Sequence, residues 1–113
     1  MEKLKLLRVY VGEFEKLKHR PLFEVIVWSA FRYGLSGATV SKAVMAFSAG
    51  RGVKNEKFPA LWSGMPYIID IVDKDYRING FVEKYQEVFD KLSKDGLAYI
   101  CDVSLVAGGE TIK

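Results

Sequence analysis

The chain has 113 residues, half of them hydrophobic and 27% charged, which is the size of one ordinary domain with enough apolar surface for a core. Seventeen basic residues are scattered among fourteen acidic ones, leaving a net charge of +3 without a block of one sign, so the surface can attract a phosphate but is no polycationic nucleic-acid patch. The lone Cys101 excludes an internal disulfide, no apolar run reaches the ~20 residues of a membrane span, and MEKLKLLRVYV lacks a signal-peptide pattern; these features point to the cytoplasm, with no membrane insertion.

Residues 4–11 alternate Lys5, Leu7, Val9 and Val11 with Leu4, Leu6, Arg8 and Tyr10. Both sets are largely apolar, which predicts a central strand. A polar loop over 12–20 follows, then a helix over 21–33 with Pro21 at its first position and Gly34 as a left-handed C-cap. That helix is apolar nearly all round, and the surplus that includes Trp28 and Phe31 predicts contact with another subunit or with a loop.

Gly34, Ser36 and Gly37 signal a turn, and 39–47 reads as the second strand. Residues 48–64 then form a long connection punctuated by Gly50, Gly52, Asn55, Pro59 and Gly64. Structureless connections of this length carry function more often than not, so this is the expected functional arm of a single domain spanning 1–113. Within it, Leu61 to Tyr67 is read as packing back on the fold, and Arg51, Lys54 and Phe58 as partner-binding residues.

A third strand over 66–73, a helix over 76–93 capped by Asp73 or Asp75, and a fourth strand over 97–106 complete the chain. The order β-α-β-β-α-β is that of the α+β ferredoxin-like sandwich, with two helices on one face of a four-stranded antiparallel sheet. If the more apolar set of each strand faces the helices, the open face carries Leu4, Leu6, Arg8, Tyr10, Ile68, Asp70, Val72, Ile100, Asp102 and Ser104. This mixture fits a sheet covered by other copies of the chain, with Arg8 paired to Asp70 or Asp102. A homo-oligomer is therefore expected.

The segments RPLFEVIV, GLSGATVSKAVMAF and IDIVD, in that order, resemble the PII-like family of small proteins related to the PII nitrogen-signalling proteins. The resemblance implies a homotrimer with its sheets turned inward, an adenine nucleotide such as ADP or ATP in the clefts between subunits, and an arm that docks on a target protein or transporter. It implies that Ser36 and Thr39 offer hydroxyls to adenine, that Phe47, Ser48, Ala49 and Gly50 form the arm's base near the phosphates, and that Arg51 supplies a charge. Glycines that admit backbone donors and a two-pronged guanidinium suit a polyphosphate. The loop before the last strand is only SKDGL and the C-terminus is AGGETIK, so two usual phosphate contacts of PII proteins are replaced, with Lys94 or Lys113 of an adjacent subunit as substitutes. The glutamine that helps PII proteins bind 2-oxoglutarate is unmatched.

Other roles find less support in the residues. His19 and Arg20 precede a helix and can meet an anion there, but a lone histidine in a polar loop is ordinarily solvated. With no second histidine and Cys101 read as a small core residue, no metal set emerges; no serine or cysteine sits in a nucleophile context, and the chain is read as a non-enzyme. RNA-recognition motifs share the strand order, yet Asp70 on the open face would repel phosphates. Acylphosphatases share the fold and use an arginine before the first helix, which Arg20 matches, but Asn55 and Asn79 are misplaced to position water.

Overall fold

The computed structural model describes residues 3–48, 51–55 and 64–112. In chain order the elements are β1 (Leu4–Gly12), β2 (Lys16–Leu17), β3 (Arg20–Pro21), α1 (Leu22–Tyr33), β4 (Thr39–Lys42), β5 (Met45–Ser48), β6 (Arg51–Asn55), β7 (Pro66–Lys74), α2 (Asp75–Lys84), α3 (Gln86–Phe89) and β8 (Leu97–Val103). Four strands form an antiparallel sheet in the order β4-β7-β1-β8, the ferredoxin-like topology expected from the sequence. β2 with β3, and β5 with β6, form separate two-stranded ribbons.

The alternation in β1 and β7 decides which side is closed. Leu7, Val9 and Val11 of β1 and Ile69 and Ile71 of β7 are inaccessible to solvent, packed with Leu22, Ile26 and Ala30 of α1 and Ile78 and Phe81 of α2. Each such large side chain contributes about 1.5–3 kcal/mol when fully buried. Tyr33 and Phe89 meet Phe81 edge-on, with ring centroids 5.6 and 5.9 Å away. Gly80 makes this possible: a Cβ there would lie 2.4 Å from the Tyr33 hydroxyl, so the packing requires the glycine that weakens the helical pattern.

Several boundaries differ from expectation. The polar loop over 12–20 contains the β2–β3 hairpin, whose two-residue turn places Lys18 and His19 at φ 50° and 72°, the left-handed pair of a type I′ turn. It gathers exposed Lys16, Lys18 and Arg20 beside His19, three cations that the overall scatter of charge conceals. Pro21 is the N-cap of α1 rather than its first helical residue, while Gly34 is the left-handed C-cap at φ 93°. The expected strand over 39–47 stops at Lys42. The chain leaves the sheet at Ala43 and Val44 and re-forms as β5, paired with β6, so part of the supposedly structureless arm is a hairpin.

The second helix breaks at Tyr85 and ends at Phe89, and neither Asp73 nor Asp75 is its N-cap; that residue is Lys74. The last strand ends at Val103, and its faces are the reverse of those expected. Arg8 lies opposite Tyr99 and Leu7 opposite Ile100, so Leu97, Tyr99, Cys101 and Val103 share the open face, while Ile100 and Asp102 share the helix side. Almost the whole strand is exposed, so neither set is marked by burial. Cys101 is accordingly exposed, not a core residue, and Asp102 pairs with Lys5 while Arg8 pairs with Asp70.

Candidate ligand-binding site

The 34–39 turn leaves α1 through the Gly34 cap and enters β4. Ser36 and Thr39 line a hollow of about 370 Å³ with Gly37, Asp70, Val72 and Thr111 of the C-terminal tail. The turn is fastened from beneath by Asp73, which has no exposed surface. The Ser36 amide donates to Asp73 Oδ2 at 2.7 Å; the Lys74 amide and Arg77 Nε donate to Oδ1 at 2.8 and 3.1 Å. Arg77 also donates to the Gly34 carbonyl. Asp73 lies in register with Ile69 and Ile71, and that parity is the sequence signal that it is buried.

At the other end of the sheet lies a larger basin of about 840 Å³. Its floor is Tyr10, Ile68 and Tyr99 of the open face; Met45, Ala46 and Phe47 of β5 form one wall, and Asp95 and Leu97 another. Phe47 is 74% exposed. Two carboxylates hold the walls. Glu13 accepts the Met65 amide at 3.0 Å and pairs with Lys42 at 3.2 Å, clasping the start of the arm to its return. The Met65 hydrogen bond, then Lys42, hold the Glu13 carboxyl below the usual carboxylate range despite its partial burial. Glu15 accepts the Gly12 amide at 2.6 Å and the Ser93 amide at 2.8 Å, docking the loop before β8.

Between the two hollows, Arg8 forks onto Asp70 at 2.6 and 3.0 Å, both side chains about one-third exposed. Hydrogen bonds to Asp70 and then Tyr99 raise the Arg8 pKa. The Tyr10 phenol is raised by its hydrogen bond to Tyr99 and by burial, the two rings lying 6.3 Å apart. Among the described residues no His, Cys, Asp and Glu cluster could hold a metal, and no helix is long and apolar enough to cross a membrane.

The expected nucleotide residues are thus divided within one chain. Ser36 and Thr39 line the smaller hollow and Phe47 the larger, and among the described residues the two hollows share no lining residue. Ser48 and Arg51 lie opposite each other at the turn end of the β5–β6 ribbon, and Lys54 lies opposite Ala46. Ala49, Gly50 and Phe58 lie outside the described residues, as do Leu61, Trp62 and Lys113. Met65 is buried, and Tyr67 stacks on Phe23 at 4.2 Å, which is the inward packing expected for the end of the arm. His19 and Arg20 sit on the small hairpin, in the lining of neither hollow. Sequence reasoning missed Asp73 as a fastening point, along with Glu13, Glu15 and Arg77; only Asp73 carried a signal, a charge at an inward position.

Comparison with known proteins adds to this geometry. Residues 4–105 match the family DUF190, described as Uncharacterized ACR. A UPF0166 protein of Methanocaldococcus jannaschii is 32% identical over 108 residues, covering 96% of each chain. Among solved structures, CPII, a nitrogen regulatory PII-like protein from Thiomonas intermedia bound to ADP, AMP and bicarbonate, superposes with a TM-score of 0.63 at 17% identity, over 89% of this chain and 86% of that one. A putative PII-like signaling protein from Thermus thermophilus gives a TM-score of 0.61 at 19% identity, over 90% and 88%. At these identities the likeness establishes a shared PII-like fold.

Proposed function

The chain belongs to the DUF190 family and has the PII-like fold, and from that premise we propose that it is a regulatory protein rather than a catalyst. It assembles as a homotrimer, binds an adenine nucleotide at the seams between subunits and contacts a target protein through the 48–64 arm. Ser36 and Thr39 receive the base; Phe47, Ser48, Ala49, Gly50 and Arg51 surround the phosphates; Arg51, Lys54 and Phe58 meet the partner.

The observation that carries this reading is the separation of Ser36 and Thr39 from Phe47, in two hollows at opposite ends of an open sheet face. One chain supplies half of a site at each end, and a seam between two copies brings unlike halves together. The open face supports the same arrangement, because Leu4, Leu6, Ile68 and Val72 are only partly covered and flank an Arg8–Asp70 pair. CPII, a protein of the same fold, is described with ADP and AMP bound, which supports the choice of ligand class.

The test is calorimetric titration with ATP, ADP, AMP and a cyclic nucleotide, beside sedimentation of the free protein. Binding of at least one nucleotide by a trimer is expected. No heat across the panel, or a monomer at micromolar concentration, would overturn the reading.

A further inference from the structure

Asp73 occupies a core position on β7 and carries a charge where its neighbours in register, Ile69 and Ile71, are isoleucines. A buried ion pair is weak evidence for stability, since well-packed hydrophobic residues often do as well. What this carboxylate accomplishes is visible in its partners: one oxygen takes the Ser36 amide of the turn, the other takes Arg77 from α2, and Arg77 itself reaches the Gly34 carbonyl.

We propose that Asp73 and Arg77 are positioning residues that hold the 34–39 turn in the geometry presenting Ser36 and Thr39 to the 370 Å³ hollow. This rests on the nucleotide reading above. The turn contains Gly34 and Gly37, and around Gly37 nothing lies within 4 Å of where a Cβ would stand, so side-chain packing does not fix that part of the backbone. Its fastenings include the helix-cap bonds of the Gly34 and Leu35 amides to Ala30 and Phe31, the β4–β7 pairing at Thr39, the Ser36 amide on Asp73, and Arg77 on the Gly34 carbonyl. The Ser36–Asp73 and Arg77–Gly34 bonds run through one ion pair. With the latch closed, the turn meets its ligand already ordered; with it open, binding must supply that order, and affinity falls by the same amount.

Three variants and two measurements test this. Arg77→Ala opens the latch at its guanidinium. Arg77→Lys keeps a charge for Asp73 but cannot hold both Asp73 and the Gly34 carbonyl in one planar fork. Ile26→Val shaves the core under α1 and serves as a destabilised control that leaves the turn alone. ADP affinity is read by calorimetry and backbone order by amide hydrogen exchange. Arg77→Ala is expected to weaken ADP binding about tenfold or more and to speed Ser36 exchange by a similar factor, with Arg77→Lys between it and the parent. Ile26→Val should change neither, although it lowers the melting temperature.

Unchanged affinity and unchanged Ser36 exchange in Arg77→Ala would overturn the proposal, leaving the pair a merely structural one. Should the parent protein bind no nucleotide, the regulatory reading fails and the latch is judged by exchange alone. Acceleration confined to residues 34–39 then supports it, and uniform acceleration along the chain overturns it.

Discussion

The two faces of the paired strands β1 and β7 end in different states. On the helix side, Leu7, Val9, Val11, Ile69 and Ile71 are at most 1% exposed. On the open side, their strand neighbours Leu6, Arg8, Tyr10, Ile68, Asp70 and Val72 are all only partly covered. The first face is a finished core in a single chain. The second has enough apolar surface to need a cover and enough polar atoms to specify which cover fits, which is why copies of the chain are the occupant proposed for it.

The largest effect expected is on the finished side. Phe81 is fully buried and touches Tyr33, Tyr85 and Phe89, so Phe81→Ala removes the centre of an aromatic cluster. A loss of about 3–5 kcal/mol in denaturant unfolding is expected. A loss below about 1 kcal/mol would mean that the helix side is not where the chain's stability resides.

On the open side, the substitution that sharpens the contrast is Leu6→Lys. Leu6 is opposite Val72 on β7 and Cys101 on β8, at the middle of that face. In one chain the new ammonium reaches water, so the protein should still fold; in an assembly it would be buried without a partner. Sedimentation should fall to that of a single chain with little change in circular dichroism, and an unaltered sedimentation coefficient would remove this face from the interface.

A smaller effect distinguishes the arm's clasp from both faces. The Glu13 carboxyl is held below its ordinary pKa by the Met65 amide and by Lys42. Because the folded value is the lower one, the clasp stabilises the protein above the unfolded carboxylate pKa, and that contribution disappears as pH falls through the depressed folded value. Glu13→Gln keeps an acceptor for the amide and loses the charge. The melting-temperature difference between parent and variant should therefore be largest near neutrality and shrink as acidification passes below the ordinary carboxylate range. A difference independent of pH would show that ionisation of Glu13 is immaterial.

The contrast between faces also explains what the sequence disclosed. β1, β7 and α1 were legible because one side of each is buried, and burial writes a period of two or 3.6 into the apolar residues. β8 was read with the right extent at its start and the wrong face, because neither of its sides is covered by a helix and its pattern therefore has no parity to report. The 39–47 stretch was read as one strand because Val40, Val44, Met45 and Phe47 have strand propensity throughout. Its interruption at Ala43 follows from the clasp by Glu13, Lys42 and Met65, a contact between residues 52 positions apart that no local window contains. Of the candidate site, the resemblance supplied Ser36, Thr39 and Phe47, but the latch beneath the turn is tertiary and only the misplaced charge of Asp73 hinted at it.

The smallest effect belongs to two ion pairs on the same strand, and it is the one that most directly compares the faces. Lys5 pairs with Asp102 on the helix side of the exposed edge, and Arg8 pairs with Asp70 in the middle of the open face. Exposed pairs gain little, because solvent screens the attraction and ordering two side chains costs entropy. In a double-mutant cycle to alanine, the Lys5–Asp102 coupling should be near the limit of detection and vanish at high salt. The Arg8–Asp70 coupling should be equally small in a Leu6→Lys background that sediments as a single chain, and larger in the parent, where the proposed assembly would exclude water from the guanidinium and carboxylate. Equal couplings in the two backgrounds would mean that nothing covers Arg8, and the open face would then be no different from the edge.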